Sequence, residues 1–387
     1  MKIVIVGAGP TGLFSAFLLL KNSQHEVHLY DQMPSAGRKF LVAGKSGLNL
    51  THSQNKLEFS KNYFNHHKLF LDWFEAFNSD DLVQWAANDL GIETFVGSSG
   101  RVFPKEFKAA QMLKIWMDKL KSNEKFKFFP NSKLNQVNKE SLVINNEIVE
   151  FDRCILALGG GSWKKTGSDG MWVNSLREHN IKINNFESLN CGFNIKWKDG
   201  FLKPNERIPL KYIKAYYQGQ SIKGDLMLTD WGIEGGPVYF LSHFIQEDRI
   251  SNELKLDLCP DLSVKNIDDK LNGKKSVSTK LKSFMDPNAI RLLKTMLSKD
   301  DFLNTDSLAS HIKNLSLKLI SARDIDESIS TRGGVDMSEV NSSLQLKKLS
   351  SIYIGGEMLD WDAPTGGYLL QGCFTQGYII SKAIISP

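Results

Sequence analysis

The first residues of the chain carry the pattern that most restricts its fold. KIVIVGAGPTG, at residues 2–12, is a short apolar strand that runs into a glycine-rich turn. An apolar stretch of helical length follows at 11–22, and VHLYD at 27–31 has the character of a second strand. This order predicts a strand–helix–strand unit with two parallel, buried strands. Such a start favours a doubly wound, Rossmann-like α/β domain.

Each glycine of the turn has a separate physical role. Gly7 permits the tight turn, Gly9 lets the backbone approach a pyrophosphate, and Gly12 lets the helix pack closely on the strand. The positive end of the helix then faces the phosphates. Asp31 ends the second strand about 20 residues further on, the spacing at which a carboxylate binds the ribose of a dinucleotide. A strand–helix turn without any ligand is the alternative.

The other end of the chain carries a second element of this kind. IYIGGEMLDWDAPTGGYLLQGCFTQG, at 352–377, combines an apolar strand, an acidic turn and a Gly-Gly helix start. One glycine motif alone is a weak signal, whereas a matching element at the far end of the chain is typical of flavin-dinucleotide proteins. FAD, held without a covalent bond, is therefore the cofactor hypothesis. The alternative for this segment is a surface turn and a core helix.

Composition narrows the class of protein. The 387 residues, 41% of them hydrophobic, suffice for two or three domains. The four cysteines form no CxxC pair, which argues against a disulfide framework, a zinc site and a dithiol redox centre, and favours the cytoplasm. Pro10 and three glycines interrupt the apolar N-terminal run, so we expect no signal peptide or membrane anchor. The net charge of +5 is too small to indicate nucleic acid by itself.

The segment GRKFLVAGKSGLNLTHS, at 37–53, is predicted to be a loop because glycine, lysine and asparagine dominate it. Arg38 and Lys39 are suited to neutralise phosphate charge. Gly44 and Gly47 are suited to let the backbone approach a flat ring. A solvated loop without a ligand is the alternative.

Helical periodicity appears at 66–90 and 107–121, where tryptophans are expected to be core anchors. GSSGRVFP, at 97–104, is predicted to be a loop between them. Residues 126–151 predict the strands of a small sheet, and FDRCILALGGGS, at 151–162, predicts a strand that returns to the first sheet.

The second half of the chain has a different character. Short alternating runs at 190–242 predict antiparallel strands, and residues 262–318 are lysine- and leucine-rich helical sequence. The alternation resumes at 323–340. The simplest layout is a β insertion that carries a small helical insertion, after which the chain completes the first domain.

Together these motifs resemble the BaiN/YhiN-type flavoproteins, bacterial FAD proteins related to glutathione-reductase-like flavoenzymes. The resemblance covers essentially the whole chain. One motif departs from the better-known branch, because AGKSGLN at 43–49 replaces a GGGRCN-like sequence. The motifs that carry the resemblance are VGAGPTG (6–12), GRKFLVAGKSGLNLTHS (37–53), LALGGGSWKKTGSDG (156–170), GDLMLTDWGIEGGPVYFLS (224–242), STRGGVD (330–336) and GGEMLDWDAPTGGYLLQGCFTQG (355–377).

The resemblance implies an FAD domain built from both chain ends and two inserted domains. The expected boundaries are 1–190 and 336–387 for the FAD domain, 191–260 with 320–335 for the β domain, and 261–319 for the nested helical domain.

The resemblance also implies roles for individual residues. Glu357 matches the acidic residue that bonds the ribityl or pyrophosphate region of the cofactor. The helix start at Gly366, Gly367 and Tyr368 is expected to present its N–H groups to flavin N1 and O2. The remaining expected cofactor contacts come from the two glycine motifs, the end of the second strand, the 37–53 segment and the 156–170 motif: Gly7, Gly9, Pro10, Thr11, Gly12, Asp31, Arg38, Lys39, Gly44, Asn49, Gly159 and Gly356.

The family resemblance implies hydride transfer through flavin N5 to an activated C=C bond of a small organic substrate, with NAD(P)H binding transiently. The alternatives are an RNA-modifying flavoenzyme that reduces uridine and a non-catalytic flavin-binding or sensor protein. No metal is expected, and no catalytic acid or base is assigned. His52, Lys45 and Asp230 lie in motif loops, where a structural or cofactor-positioning role is the more typical one. Cys373 is expected to be a buried, small apolar residue.

Overall fold

The computed structural model describes residues 1–44, 47–105, 108–248 and 251–386, and the chain divides into two compact units. Unit 1 combines residues 1–187 with 329–387, and unit 2 comprises residues 188–328. The predicted separation of unit 2 into a β domain and a helical domain at 261–319 stays a prediction. Its helices and strands contribute to one hydrophobic cluster.

The strands of the described residues are short apart from one long hairpin in unit 2. In chain order they are β1 (Lys2–Val6), β2 (Glu26–Tyr30), β3 (Thr51–His52), β4 (Thr94–Val96), β5 (Arg101–Pro104), β6 (Phe126–Phe129), β7 (Leu134–Val137), β8 (Ser141–Ile144), β9 (Glu147–Glu150), β10 (Arg153–Leu156), β11 (Ile183–Leu189), β12 (Phe193–Asn194), β13 (Arg207–Tyr217), β14 (Gln220–Thr229), β15 (Gly232–Glu234), β16 (Glu253–Asp257), β17 (Leu315–Lys318), β18 (Ser321–Ala322), β19 (Ser330–Val335) and β20 (Ile352–Ile354).

The longest α-helix of the same residues is the last one, in unit 1, with 18 residues. In chain order the α-helices are α1 (Pro10–Asn22), α2 (Arg38–Ala43), α3 (Lys56–Ser60), α4 (His67–Ala76), α5 (Ser79–Leu90), α6 (Ala109–Lys121), α7 (Val173–Arg177), α8 (Gly236–Asp248), α9 (Val264–Leu271), α10 (Val277–Leu281), α11 (Pro287–Met296), α12 (Lys299–Leu303), α13 (Thr305–Lys313) and α14 (Tyr368–Ile385).

The central sheet of unit 1 is parallel and has the strand order β20-β10-β1-β2-β6. This confirms the predicted Rossmann-like α/β fold, in which both ends of the chain contribute to one sheet. α1 packs against α14, and the rings of Phe14 and Phe374 meet edge to face at 5.1 Å between centroids. The predicted core anchors Trp85 and Trp116 are buried beside them. Burial of these aromatic rings holds the two chain ends together.

Unit 2 is organised around a sheet with the order β17-β16-β13-β14-β15-β12-β18, in which every recorded pair is antiparallel. β13 alternates between exposed and buried residues, which is the pattern of a sheet with one face on a core. The buried residues of this sheet form an apolar core with α8, α9, α11 and α13.

Two predicted loops contain regular structure. The segment 37–53 includes α2 and β3, and the segment 97–104 includes β5, which pairs with β3 and β4. Gly37 adopts a left-handed φ of 66°, and its N–H donates to the Ala8 carbonyl at 2.8 Å, so α2 begins at a fixed place. The high glycine content of the segment concealed this helix of six residues.

Two strand predictions were also wrong. β6 joins the parallel sheet beside β2, whereas β7, β8 and β9 form the small antiparallel sheet expected at 126–151. α6 lies between β2 and β6 and provides the crossover that parallel strands need. In unit 2, the sequence predicted strands throughout 190–242, but α8 begins at Gly236. Pro237 fits there because the first turn of a helix needs no N–H donor from it.

Helix α6 begins at Ala109, and residue 107, where the sequence predicted its start, lies outside the described residues. Among the described residues, no helix combines the length and the apolar character that a membrane crossing requires.

Candidate functional site

An open cleft lies in unit 1, beyond the carboxyl ends of β1, β2, β10 and β20. This edge is the place where open α/β sheets bind their ligands. Its walls come from four separate parts of the chain. The predicted residues that line it are Gly7, Gly9, Pro10, Thr11, Asp31, Arg38, Lys39, Gly159, Gly356 and Glu357.

The glycine turn at the cleft has three distinct geometries. Gly7 has a φ of 107°, and a Cβ there would lie 2.1 Å from the Ala157 carbonyl oxygen. A Cβ on Gly12 would lie 2.0 Å from the Gly7 carbonyl oxygen, so Gly12 is required by packing behind the turn. A Cβ on Gly9 would meet no protein atom within 4 Å. Gly9 is therefore the glycine whose bare backbone faces open space in the cleft.

Asp31 ties the glycine turn to the end of β2. One carboxylate oxygen accepts the Ala8 N–H at 2.7 Å, and the other accepts the Met33 N–H at 2.8 Å. Burial raises the pKa of Asp31, although these two donors and the nearby Arg38 act in the opposite direction. Each carboxylate oxygen can accept a further hydrogen bond, so the arrangement leaves capacity for a ribose hydroxyl.

A lysine bridges the two far walls of the cleft. Lys39 Nζ lies 2.7 Å from Glu357 Oε2 and donates to Ser162 Oγ at 2.8 Å. The side chains of Lys39 and Glu357 are 26% and 15% exposed, so this ion pair is largely shielded from water. It joins α2, the loop after β10 and the turn after β20.

Sequence reasoning assigned no role to Ser162 or Thr331, although both lie in motifs of the resemblance. The Thr331 Oγ1 accepts the N–H groups of Gly161 at 2.9 Å and Ser162 at 3.0 Å. This contact fixes the glycine loop after β10 and hence the hydroxyl that Lys39 contacts. The positions of Ser162 and Thr331 in these motifs indicated that they matter, but the sequence did not show that the two residues, 169 positions apart, are hydrogen-bonded.

The start of α14 does not belong to the cleft lining within the described residues. A Cβ on Gly367 would lie 2.6 Å from the backbone of Thr51, so the helix start packs directly on β3. Tyr368 is buried, its hydroxyl donates to Gln54 Oε1 at 2.8 Å, and burial raises its pKa to about 12. Gly366 adopts a φ of 122°. The predicted flavin contacts of these residues stay predictions.

Gly44 and Asn49 also lie outside the described cleft lining. Gly44 packs on α6, because a Cβ there would lie 2.3 Å from the Ala109 Cβ. This is a packing reason for glycine, different from the close approach to a ring that the sequence suggested. Asn49 Oδ1 is buried, and no donor in the described part of the chain reaches it. A buried acceptor without a partner is unfavourable, and a ligand N–H would satisfy it.

The residues present fit the diphosphate and ribose parts of FAD. The cleft offers open backbone at Gly9, a cation at Arg38 for a diphosphate, and a carboxylate at Asp31 for a ribose. Asn49 supplies an unpaired acceptor on the same 37–53 segment.

Two of the three motif-loop residues for which a structural or cofactor-positioning role was expected, His52 and Asp230, have structural contacts. His52 Nδ1 accepts the Gln54 N–H at 3.2 Å, and Nε2 lies 3.0 Å from the Ser99 carbonyl oxygen. A ring that accepts at Nδ1 and donates from Nε2 is a neutral imidazole with its proton on Nε2. Burial lowers the pKa of His52, which also favours the neutral form. Asp230 Oδ2 accepts the Asn205 N–H at 3.0 Å within unit 2. Lys45 lies outside the described residues.

The four cysteines are all buried as free thiols. Cys373 contributes to the cleft wall, and burial raises its pKa to about 12. A thiol with this pKa stays protonated at neutral pH and is a poor nucleophile.

A glycine turn at the carboxyl edge of a parallel sheet, with an acidic residue closing the second strand, defines the class of dinucleotide-binding α/β proteins. The sequence profile of the HI0933-like protein Rossmann domain matches residues 1–383. The chain therefore belongs to the HI0933-like family, the BaiN/YhiN-type FAD-dependent oxidoreductases.

Two relatives are similar over nearly their whole length. The 3-dehydro-bile acid delta(4,6)-reductase of Clostridium scindens is 23% identical, and the match covers 99% of this chain and 98% of the relative. The ribosomal RNA dihydrouridine synthase of Haemophilus influenzae is 25% identical, with 98% of each chain covered.

Solved structures show the same fold at low sequence identity. The 3-ketosteroid delta1-dehydrogenase from Sterolibacterium denitrificans has a TM-score of 0.51 at 10% identity, with 99% of both chains covered. A flavocytochrome c3 fumarate reductase also has a TM-score of 0.51, at 14% identity, covering 99% of this chain and 78% of the other. At these identities the likeness concerns the fold alone.

Proposed function

We propose that this protein is an FAD-dependent reductase that takes electrons from NAD(P)H and delivers hydride to an activated C=C bond of a small organic molecule. The observation that carries the proposal is the cleft built from both chain ends, in which Gly9, Asp31 and the Lys39–Glu357 pair meet. The delta(4,6)-reductase named among the relatives supports the type of reaction. The four buried free thiols are compatible with a cytoplasmic protein and offer no exposed dithiol as an alternative electron carrier.

The residues of the cleft would divide the cofactor between them. The open backbone at Gly9 and the first turn of α1 would bind the diphosphate, with Arg38 close by. Asp31 would accept a ribose hydroxyl while it continues to hold the turn. Outside the described cleft lining, the N–H groups at the start of α14 would stabilise negative charge on the cofactor ring. When bound, FAD supplies hydride transfer, which this chain has no other group to perform.

The test begins with the absorption spectrum of the purified protein, followed anaerobically after addition of NADH or NADPH. We expect flavin bands in the visible range that bleach rapidly with one of the two donors. Enone substrates would then reoxidise the reduced flavin. A flavin that stays oxidised would favour the sensor or another donor, and a colourless protein that cannot be reconstituted with FAD would refute the cofactor assignment.

Single-stranded RNA is the second candidate substrate, because unit 2 has a basic and aromatic sheet surface. The Lys–Tyr face comprises Lys214, Tyr216, Lys223 and Lys255, which share one side of the sheet: Lys214 pairs in register with Lys223, and Tyr216 pairs with Lys255. Lys214 Nζ lies 4.7 Å from the centroid of the Tyr216 ring. Alternating cations and aromatic rings suit phosphates and stacked bases. The dihydrouridine synthase named among the relatives supports this alternative.

Fluorescence anisotropy with a single-stranded RNA oligomer at several salt concentrations separates the two candidates. An RNA-modifying enzyme should lose affinity steeply with salt, and replacing Lys214 and Lys255 by Gln should reduce the salt slope by about one for each lysine. Lys114→Gln, on an exposed surface of unit 1, is the matched control. Salt-independent or undetectable binding would leave the small-molecule reductase as the proposal.

A further inference from the structure

We propose that Lys39 serves the cleft by cancelling the charge of Glu357, so that the two side chains act as one neutral unit beside a bound diphosphate. The resemblance to known flavoproteins suggests separate contacts for the two residues, and the pairing assigns them a joint role. This inference rests on the proposed binding of FAD and deepens it.

Glu357 is held in place by its backbone. Gly356 adopts a left-handed φ of 74°, its N–H donates to Gln376 Oε1 at 2.6 Å, and its carbonyl accepts the Trp361 Nε1–H at 2.9 Å. Both partners are buried. The Glu357 carboxylate consequently starts from a fixed position on the cleft wall and cannot turn away through a backbone movement without breaking these contacts.

Lys39 reaches this carboxylate from a different element. It extends from α2, whose start is fixed by the bond between Gly37 and Ala8, and its ammonium is shared with the buried Ser162 hydroxyl. A lysine side chain carries several rotatable bonds, so holding it between two acceptors has an entropic cost. The entropic cost of fixing the Lys39 side chain is explained if its ammonium has to remain beside Glu357.

The charge balance of the cleft gives the pairing its purpose. Among the described lining residues, the ionised side chains are the acids Asp31 and Glu357 and the bases Arg38 and Lys39. The side chains alone are therefore neutral in sum, and attraction for a diphosphate comes from the N-terminus of α1 and from Arg38. Without Lys39, the 15%-exposed Glu357 would face the diphosphate as an uncompensated negative charge.

Lys39 can have two roles that look identical in a single variant. If Lys39 binds phosphate directly, its loss weakens binding whatever residue stands at 357. If Lys39 neutralises Glu357, its loss becomes nearly harmless once the carboxylate is removed as well. A double-mutant cycle with Lys39→Met and Glu357→Gln measures the difference.

The full-length chain, stripped of flavin, is titrated calorimetrically with FAD and separately with ADP, which carries the diphosphate but no flavin. Thermal unfolding of each variant checks that it is folded. Lys21→Met is the matched control, because it removes the ion pair of Lys21 with Asp89, away from the cleft.

We expect Lys39→Met to weaken both FAD and ADP binding by about tenfold or more. Glu357→Gln leaves the Lys39 ammonium uncompensated and should not weaken ADP binding, and the double variant, which carries neither charge, should return to within about threefold of the wild type. A double variant as weak as Lys39→Met would overturn the inference while leaving FAD binding intact. A wild-type protein that binds neither ligand would overturn the proposed function as well.

Discussion

Unit 1 contains two strand-to-helix crossings that look alike in sequence and differ in structure. In the first, between β1 and α1, Gly7 to Gly9 suffice, and the helix starts at the cleft. In the second, residues 355–367 separate β20 from α14, and the helix starts against β3 instead. Glycine at the first crossing serves ligand approach and packing, whereas glycine at the start of α14 serves packing on a neighbouring strand.

The two crossings differ in length, and this difference decides which part of each lines the described cleft. The short crossing places the helix end in the cleft. The longer one places its first residues, Gly356 and Glu357, in the cleft, and its helix start packs on β3 instead. A shared glycine-rich signature therefore does not imply the same position relative to the cleft.

The largest expected effect tests the short crossing. Gly12→Ala would place a Cβ 2.0 Å from the Gly7 carbonyl oxygen, a backbone atom that cannot move without moving the turn. We expect a loss of about 3 kcal/mol or more in the free energy of unfolding, measured by urea denaturation.

Gly9→Ala is the matched comparison at the same turn, since its Cβ meets no protein atom within 4 Å and its φ is −83°. Its free energy of unfolding should lie within about 1 kcal/mol of the wild-type value, while it should bind FAD more weakly. Equal stability losses for the two variants would show that the turn does not separate packing from ligand approach.

The next effect tests the longer crossing. Gly367→Ala combines a left-handed φ of 98° with a Cβ 2.6 Å from the Thr51 backbone, so we expect a loss of about 2–3 kcal/mol. Gly91→Ala, with a φ of 67° and nothing within 4 Å, should lose only about 1 kcal/mol because it carries strain without a clash. Urea midpoints of the two variants measure the difference, and indistinguishable values would remove the clash from the explanation.

A smaller effect tests the contact between α1 and α14, the helices that follow the two crossings. The Ser15 hydroxyl on α1 donates to the Gly377 carbonyl on α14 at 3.2 Å, and Ser15 is fully buried. Ser15→Ala should cost about 1 kcal/mol in the free energy of unfolding. The exposed Ser122→Ala, whose hydroxyl bonds only locally to Lys119, should stay within about 0.5 kcal/mol of the wild type. A Ser15 variant as stable as the control would show that this hydrogen bond does not contribute to joining the helices.

The smallest effect concerns a polar contact of the longer crossing. Asn184 donates to Asp360 at 2.6 Å within that crossing and to Asp336 at 3.3 Å. Several contacts lower the pKa of Asp336, and the hydrogen bond from Lys182 has the largest effect. Stabilisation by a carboxylate with a lowered pKa is present above about pH 4, where the unfolded side chain is ionised, and is lost as the pH falls through the folded pKa.

Asp336→Asn should therefore destabilise the protein by less than about 1 kcal/mol near neutral pH, and the difference from the wild type should shrink in acid. Thermal unfolding at several pH values measures it. A difference that grows on acidification would contradict the assignment.

Part of this architecture was accessible from the sequence because it depends on local patterns. The strand–helix–strand unit at the N-terminus, the return of β10 to the first sheet and the helix start after Gly367 follow from apolar periodicity and from glycine placement. Asp31 was found through its spacing from the turn. Ten of the sixteen predicted contact residues line the cleft, and their roles toward a cofactor stay predictions.

The remaining features depend on contacts between distant residues. Lys39 and Glu357 are 318 positions apart, and nothing in either motif states that one side chain reaches the other. The helix α2 is only six residues long, and its glycine-rich surroundings give it the composition of a loop. The position of the α14 start against β3 depends on how a crossing of irregular structure is routed, which periodicity does not describe.

Unit 1 is formed from two segments of the chain that are separated by unit 2, so the order of synthesis affects when it can fold. Unit 2 is one continuous segment, 188–328, whereas the sheet of unit 1 lacks its edge strand β20 and its helix α14 until residues 352–385 leave the ribosome after unit 2. Domains generally fold as their residues emerge. The N-terminal half of the cleft is consequently synthesised before unit 2 and completed only after it, with the apolar face of α1 awaiting α14 throughout.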